Sequence, residues 1–299
     1  LRRAGLLRPF VRLFARDLTR NTREEVNTYT YRTPDYMLSC AQDYRAGYGG
    51  DQQHVWQATL GPRAVVFTTH PGRTGRDGEA PTPNYWTGSG TLPRAAQYRN
   101  VLICHYRVDT SPGLYLTNRE LYTHAWFPQE EFDEVREDNG WVFGRRGDGY
   151  VGLWSQRPYE WRLQTELVVA GSSNTWICVC GRATTHGSFD EFCGRISGRI
   201  SGSPVRVSGR SGRERVAIDV VPHGTVEFGS TGPLTVGGWK MPVTTHPQGS
   251  PYPTEEGYRR YDNPYVSADF PANLVRVRCN DETLSLNWLD QARSASSYL

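Results

Sequence analysis

Apolar and polar residues alternate with a period of two through short runs separated by Gly, Pro, Asn and Asp, the signature of half-buried strands. Two such runs, His54 to Leu60 and Ala64 to His70, flank Gly61-Pro62-Arg63 and predict a hairpin. A loop rich in Gly, Pro and Asn then leads through Pro83 to Gln97 into a third strand, Asn100 to Val108. Further strands are predicted over Thr28–Arg32, Trp141–Arg145, Tyr150–Ser155, Glu166–Ala170, Thr175–Cys180, Val205–Ser208, Arg215–Val221, Thr225–Phe228, Leu274–Arg278 and Leu284–Trp288. Gly147-Asp148-Gly149 predicts one hairpin turn, and Asn280 to Thr283 another.

The helical period is rarer. Leu7, Phe10, Val11 and Phe14 share one side of Leu6–Leu18, which predicts a short amphipathic helix. It would dock on the rest of the protein or end a preceding helical domain, and Arg8, Arg12 and Arg16 would also suit a membrane surface. Pro128–Val135 starts with proline and acids, as helices do, and Ser188–Ile196 places Phe189, Phe192 and Ile196 on one side. Ser197–Arg213 reads as an exposed hairpin region. Gly237–Asp269 is irregular and long enough to cover a surface or a cleft. The expected fold is mainly β, a large antiparallel β-sandwich over residues 27–299, with the N-terminal helix in residues 1–26 and two short helices.

Composition narrows the function classes. No run of about 18 apolar residues argues for a membrane span. The 299 residues carry a formal net charge of +3, too little to argue for nucleic acid. Lys240 is the sole lysine, so the positive side chains are arginines, suited to carboxylate and sulfate. Base composition of the genome would produce the same skew. Cys40, Cys104, Cys178, Cys180, Cys193 and Cys279 include no CxxC pair and read as buried thiols.

Candidate chemistry gathers on the first three strands. Gln53, His54, His70, Tyr85, Arg94 and His105 supply what β-elimination from an acidic sugar requires. Arg94 and Gln53 would neutralise a carboxylate, His54 would serve as base or carboxylate partner, and Tyr85 as acid or base. Tyr36, Tyr44, Arg45, Trp56, Trp86 and His124 would contact sugar rings. No cofactor is required by this chemistry. His54, His70 and His105 would suit a structural zinc if register brought them together, although no HxH or HxxxH spacing supports it. A polar sheet face with satisfied histidines would use the same residues.

At these residues the chain resembles the C-terminal β-sheet domain of heparinase II/III-like polysaccharide lyases. His54 resembles the family's first strand histidine, and His70-Pro71-Gly72 its turn, with histidine where aspartate is usual. Tyr85 falls in the Tyr-bearing loop, and Gln97 stands near the place of a His-Asn pair. The match spans roughly Asp51 to Val108, and Gly147 to Ser155 agrees with the architecture. The resemblance implies a secreted or periplasmic lyase acting on an acidic polysaccharide, with a helical toroid domain or chain absent from this sequence. A non-catalytic carbohydrate-binding or structural β-sandwich module and a glycoside hydrolase accessory domain stand beside it.

Overall fold

The computed structural model describes residues 27–47, 54–71, 85–86, 88–109, 120–200, 202–210, 213–241, 266–269, 272–279 and 282–287. The helix expected over Leu6–Leu18, and Gln53, lie outside them. The described residues are mainly β, in antiparallel sheets with strands numbered here in chain order.

The first sheet comprises β1 (Asn27–Arg32), β2 (Met37–Gln42), β3 (Trp56–Thr59), β4 (Val65–Thr69), β7 (Tyr122–Trp126), β12 (Glu166–Ala170) and β11 (Glu160–Arg162), in that spatial order. The second runs β5 (Arg94–Tyr98), β6 (Val101–Arg107), β13 (Ser173–Arg182), β10 (Gly149–Ser155), β9 (Trp141–Arg146) and β8 (Glu134–Asp138). The third runs β14 (Val205–Arg210), β15 (Arg213–Val220), β16 (Gly224–Gly229), β17 (Leu234–Val236) and β18 (Trp239–Met241). A separate three-stranded sheet holds β19 (Val266–Asp269), β20 (Leu274–Cys279) and β21 (Glu282–Asn287).

The first three sheets stack as layers because the second is apolar on both faces. Leu102, Cys104, Val151, Leu153, Trp176 and Cys178 pack with Leu38, Trp56 and Val66 of the first sheet. Their sequence neighbours Ile103, Tyr150, Ile177 and Val179 turn the other way, against Val216, Ile218, Val226 and Phe228 of the third. Strand β13 is buried along eight consecutive residues, which is why it reads as a continuous apolar run and not as an alternation. Helix α1 (Ala183–His186) leads into α2 (Phe189–Ser197), whose Phe189, Phe192 and Ile196 join this second core. Ser188 caps α2 through a reciprocal bond with Glu191, matching the expected start.

Several expectations change. Pro128–Val135 forms only a 3-10 turn, Gln129–Glu131, before the chain enters β8. Its acids belong partly to an edge strand, where charge discourages pairing with another chain. Tyr36 and Trp56 do not face solvent. Both are core residues, and the Trp56 indole N–H donates to Thr68 Oγ1 at 2.8 Å. Cys40, Cys104, Cys178, Cys180 and Cys193 are buried free thiols, as expected.

Candidate functional site

The outward face of the first sheet carries a cluster of titratable and aromatic side chains. Along β7, Thr123, Ala125 and Phe127 face the core, so Tyr122, His124 and Trp126 point outward. Register then sets the neighbours. Thr69 of β4 and Val168 of β12 stand opposite His124, and Glu166 stands opposite Trp126, diagonal to His124. Arg162 of β11 stands opposite Glu166. Tyr85 and Trp86 lie over this surface, and the Trp86 ring stacks on His124 at 4.0 Å between centroids.

A hydrogen-bonded chain runs through the cluster. Thr69 and Glu166 hold the two nitrogens of His124, with Nε2 at 2.5 Å from Thr69 Oγ1 and Nδ1 at 2.8 Å from Glu166 Oε1. The Tyr85 hydroxyl donates to the same Glu166 oxygen at 2.5 Å and accepts from Arg162 Nη1 at 3.2 Å. These partners favour one tautomer: Nδ1–H donates to the carboxylate, and Nε2 accepts from the Thr69 hydroxyl.

The electrostatics agree. Burial lowers the pKa of His124 against the opposing pull of Glu166, so the ring stays neutral. Burial raises Glu166, but its bonds from His124 and Tyr85 outweigh that, and its pKa falls below the usual carboxylate range. Burial and the bond to Glu166 push the Tyr85 phenol above its ordinary value. The result is a protonated phenol on an ionised carboxylate, with an exposed guanidinium beside it.

Of the expected site residues, His54, Tyr85, Trp86 and His124 come together. His54 stacks on Phe67 at 3.9 Å and its Nε2 lies 2.5 Å from the Trp86 carbonyl oxygen. Because a carbonyl only accepts, Nε2 carries a proton, and in the neutral ring Nδ1 holds the lone pair. Arg94 does not join them. It forms a two-pronged pair with Asp43, at 3.0 and 2.6 Å, donates to the Gly229 and Gly232 carbonyls, and lies 4.5 Å over the Phe228 ring. His105 is also elsewhere, between Thr175 Oγ1 at 2.8 Å and the Phe228 carbonyl at 3.0 Å. Arg94 and His105 line a different cleft, of about 900 Å3. Tyr44 and Arg45 sit in the turn after β2, whose backbone bonds to Ala95 and Leu92 beside Arg94.

The three-histidine zinc arrangement is not formed. His70 is buried with Nε2 on the Glu120 carbonyl, and His105 lies in another layer junction. Among the described residues no group of three His, Cys, Asp or Glu is placed to hold a metal ion. Also among them, no helix is long and apolar enough to cross a membrane.

Glu166, Arg162, Tyr122 and Thr69 complete the cluster and were not expected from the sequence. The available signal was parity: Glu166 opens an otherwise apolar strand, on the face that His124 occupies in β7. No protein-family model matches the chain, and neither curated proteins nor solved structures yield a match.

Proposed function

We propose that the chain is the β-sheet portion of an enzyme that cleaves an acidic polysaccharide by β-elimination, with its chemistry on the outward face of the first sheet. One observation carries this reading: the half-buried Tyr85 phenol is held between the Arg162 guanidinium and the buried His124–Glu166 pair. Arg162 takes over the carboxylate-neutralising role first expected of Arg94. His54 removes the proton from the carbon next to that carboxylate, through Nδ1. The electrons form the new double bond as the glycosidic C–O bond breaks, and Tyr85 passes its proton to the leaving oxygen. Arg162 steadies the resulting phenolate, and exchange with water returns both side chains to their starting state. The resemblance to heparinase-type lyases supports the same reaction class, and a toroid domain would supply the other wall. An acidic glycan substrate would place the protein outside the cytoplasm.

The test is ultraviolet absorbance of unsaturated uronate ends after mixing the complete protein with a panel of acidic polysaccharides. Turnover is expected with at least one, and Tyr85→Phe should lower it by about a hundredfold or more. Absence of product from every polysaccharide would reject the reaction.

The sealing of His124, with none of its side chain exposed, favours a second reading. In it Tyr85, Trp86, Tyr122 and Arg162 form a non-catalytic glycan-binding surface braced from behind. Glycan binding without product, weakened by Arg162→Ala and unaffected by His54→Gln, would select it.

A further inference from the structure

The outward face of the third sheet has no part in that chemistry. Its inward positions, Val216, Ile218, Val226 and Phe228, are core residues, so Arg206 and Arg210 of β14 face outward with Arg213 and Arg215 of β15. Lys240 of β18 adds a further cation, opposite the outward Thr235. Only Asp219 and Glu227 balance them among the outward positions of β15 and β16. Asp219 pairs with Arg206, and Glu227 with Arg215. Arg210 and Arg213 are exposed, directly opposite each other, and have no ion-pair partner among the described residues.

Like charges placed directly across a strand pair destabilise it. Edge protection would explain charge on β14 and β18, the two outermost strands, but the cations continue onto the interior strand β15. Arginines two residues apart on one strand stand about 7 Å apart on the same face. Each presents a planar fork of donors matched to a carboxylate or sulfate. No aromatic residue stands among the outward positions of β14, β15 and β16, so the face lacks the stacking platform that binds single-stranded nucleic acid.

We propose that this face binds a polyanionic glycan chain, with Arg210 and Arg213 as its principal contacts. The choice of glycan over other polyanions rests on the proposed function; the cationic face itself does not.

The experiment uses the full chain on immobilised dextran sulfate and polygalacturonate, with duplex DNA in parallel. Retention on the glycans should weaken as salt rises, because bound counterions are released on association. Arg210→Ser with Arg213→Ser should cut glycan affinity about tenfold and flatten the salt dependence. Arg63→Ser with Arg146→Ser removes the same charge from a different region and should change little. Equal losses in the two double variants would assign retention to net charge and overturn the proposal. So would DNA bound as tightly as the glycans, or no retention of the unaltered chain. Retention without unsaturated product would leave this face standing and remove the lyase reading. Product formation with retention insensitive to the Arg210 and Arg213 changes would do the reverse.

Discussion

Glu166 holds two donors on one oxygen while nearly buried, and that makes it the residue on which the cluster depends. Glu166→Ala would leave the His124 Nδ1–H without its acceptor inside the protein. A loss of about 1.5–3 kcal/mol is expected in urea unfolding, since the lost bonds go to a charged group. Two other histidines set a pH dependence. Burial lowers both His70 and His105 to about 4. The neutral ring is therefore favoured in the fold, and the unfolded chain binds more protons between about 6.5 and 4. Stability from these residues is complete above about pH 6.5 and falls as the pH drops towards 4. Each contributes a slope approaching roughly 1.4 kcal/mol per pH unit within that window. Unfolding midpoints measured from pH 7 to 4 should show the decline, and His105→Gln should make it shallower. At this scale the sequence was only half legible. His54, Tyr85, Trp86 and His124 were marked by residue type, but Glu166 is a diagonal neighbour of His124 across strands far apart in the chain. Only register reveals that relation.

Glycines in the central strands mark where aromatic rings lie on the backbone. A Cβ on Gly152 of β10 would meet Phe143 at 2.8 Å and Trp141 at 3.2 Å; one on Gly181 of β13 would meet Phe192 at 2.7 Å. Alanine at either position should cost about 1–3 kcal/mol, read as a lowered melting temperature. Gly149 is stricter, because its added Cβ would stand 2.4 Å from the Asp35 backbone oxygen, and its alanine variant should fall at the upper end. On the third sheet the sign reverses. Arg213→Glu replaces a like-charge pair opposite Arg210 with an opposite-charge pair, and should raise stability by about 0.2–1 kcal/mol while reducing retention on polyanions. Most strands were legible as elements, because alternation and turn residues are local signals. Strand β8 was not: the helix expected over Pro128–Val135 runs into its first residues, Glu134 and Val135, and its acids resemble a solvated helix face until the chain is seen at a sheet edge. Strand β7 was hidden for another reason. Its outward residues are aromatic or polar and covered by Tyr85 and Trp86, so neither face looks exposed.

Arg94 belongs to the architecture of the whole molecule. It ties the turn bearing Asp43 to the Gly229–Gly232 carbonyls and covers Phe228, so it fastens the second layer to the first and third. Arg94→Ala should cost about 2–4 kcal/mol, because it leaves a largely buried Asp43 carboxylate unpaired. Its effect on turnover per folded molecule should be small, which separates it from Arg162→Ala; activity corrected for folded fraction would distinguish the two. The mainly β character followed from strand patterning, but the third layer did not, since a buried two-faced strand and an ordinary core strand give the same apolar run. That two-sided middle sheet limits how the chain can be rearranged. A fragment ending after α2 would present a bare apolar plane to water, and one starting at β14 would lack the surface its valines need. Neither half should behave as an exchangeable module, so grafting or trimming should respect all three layers together.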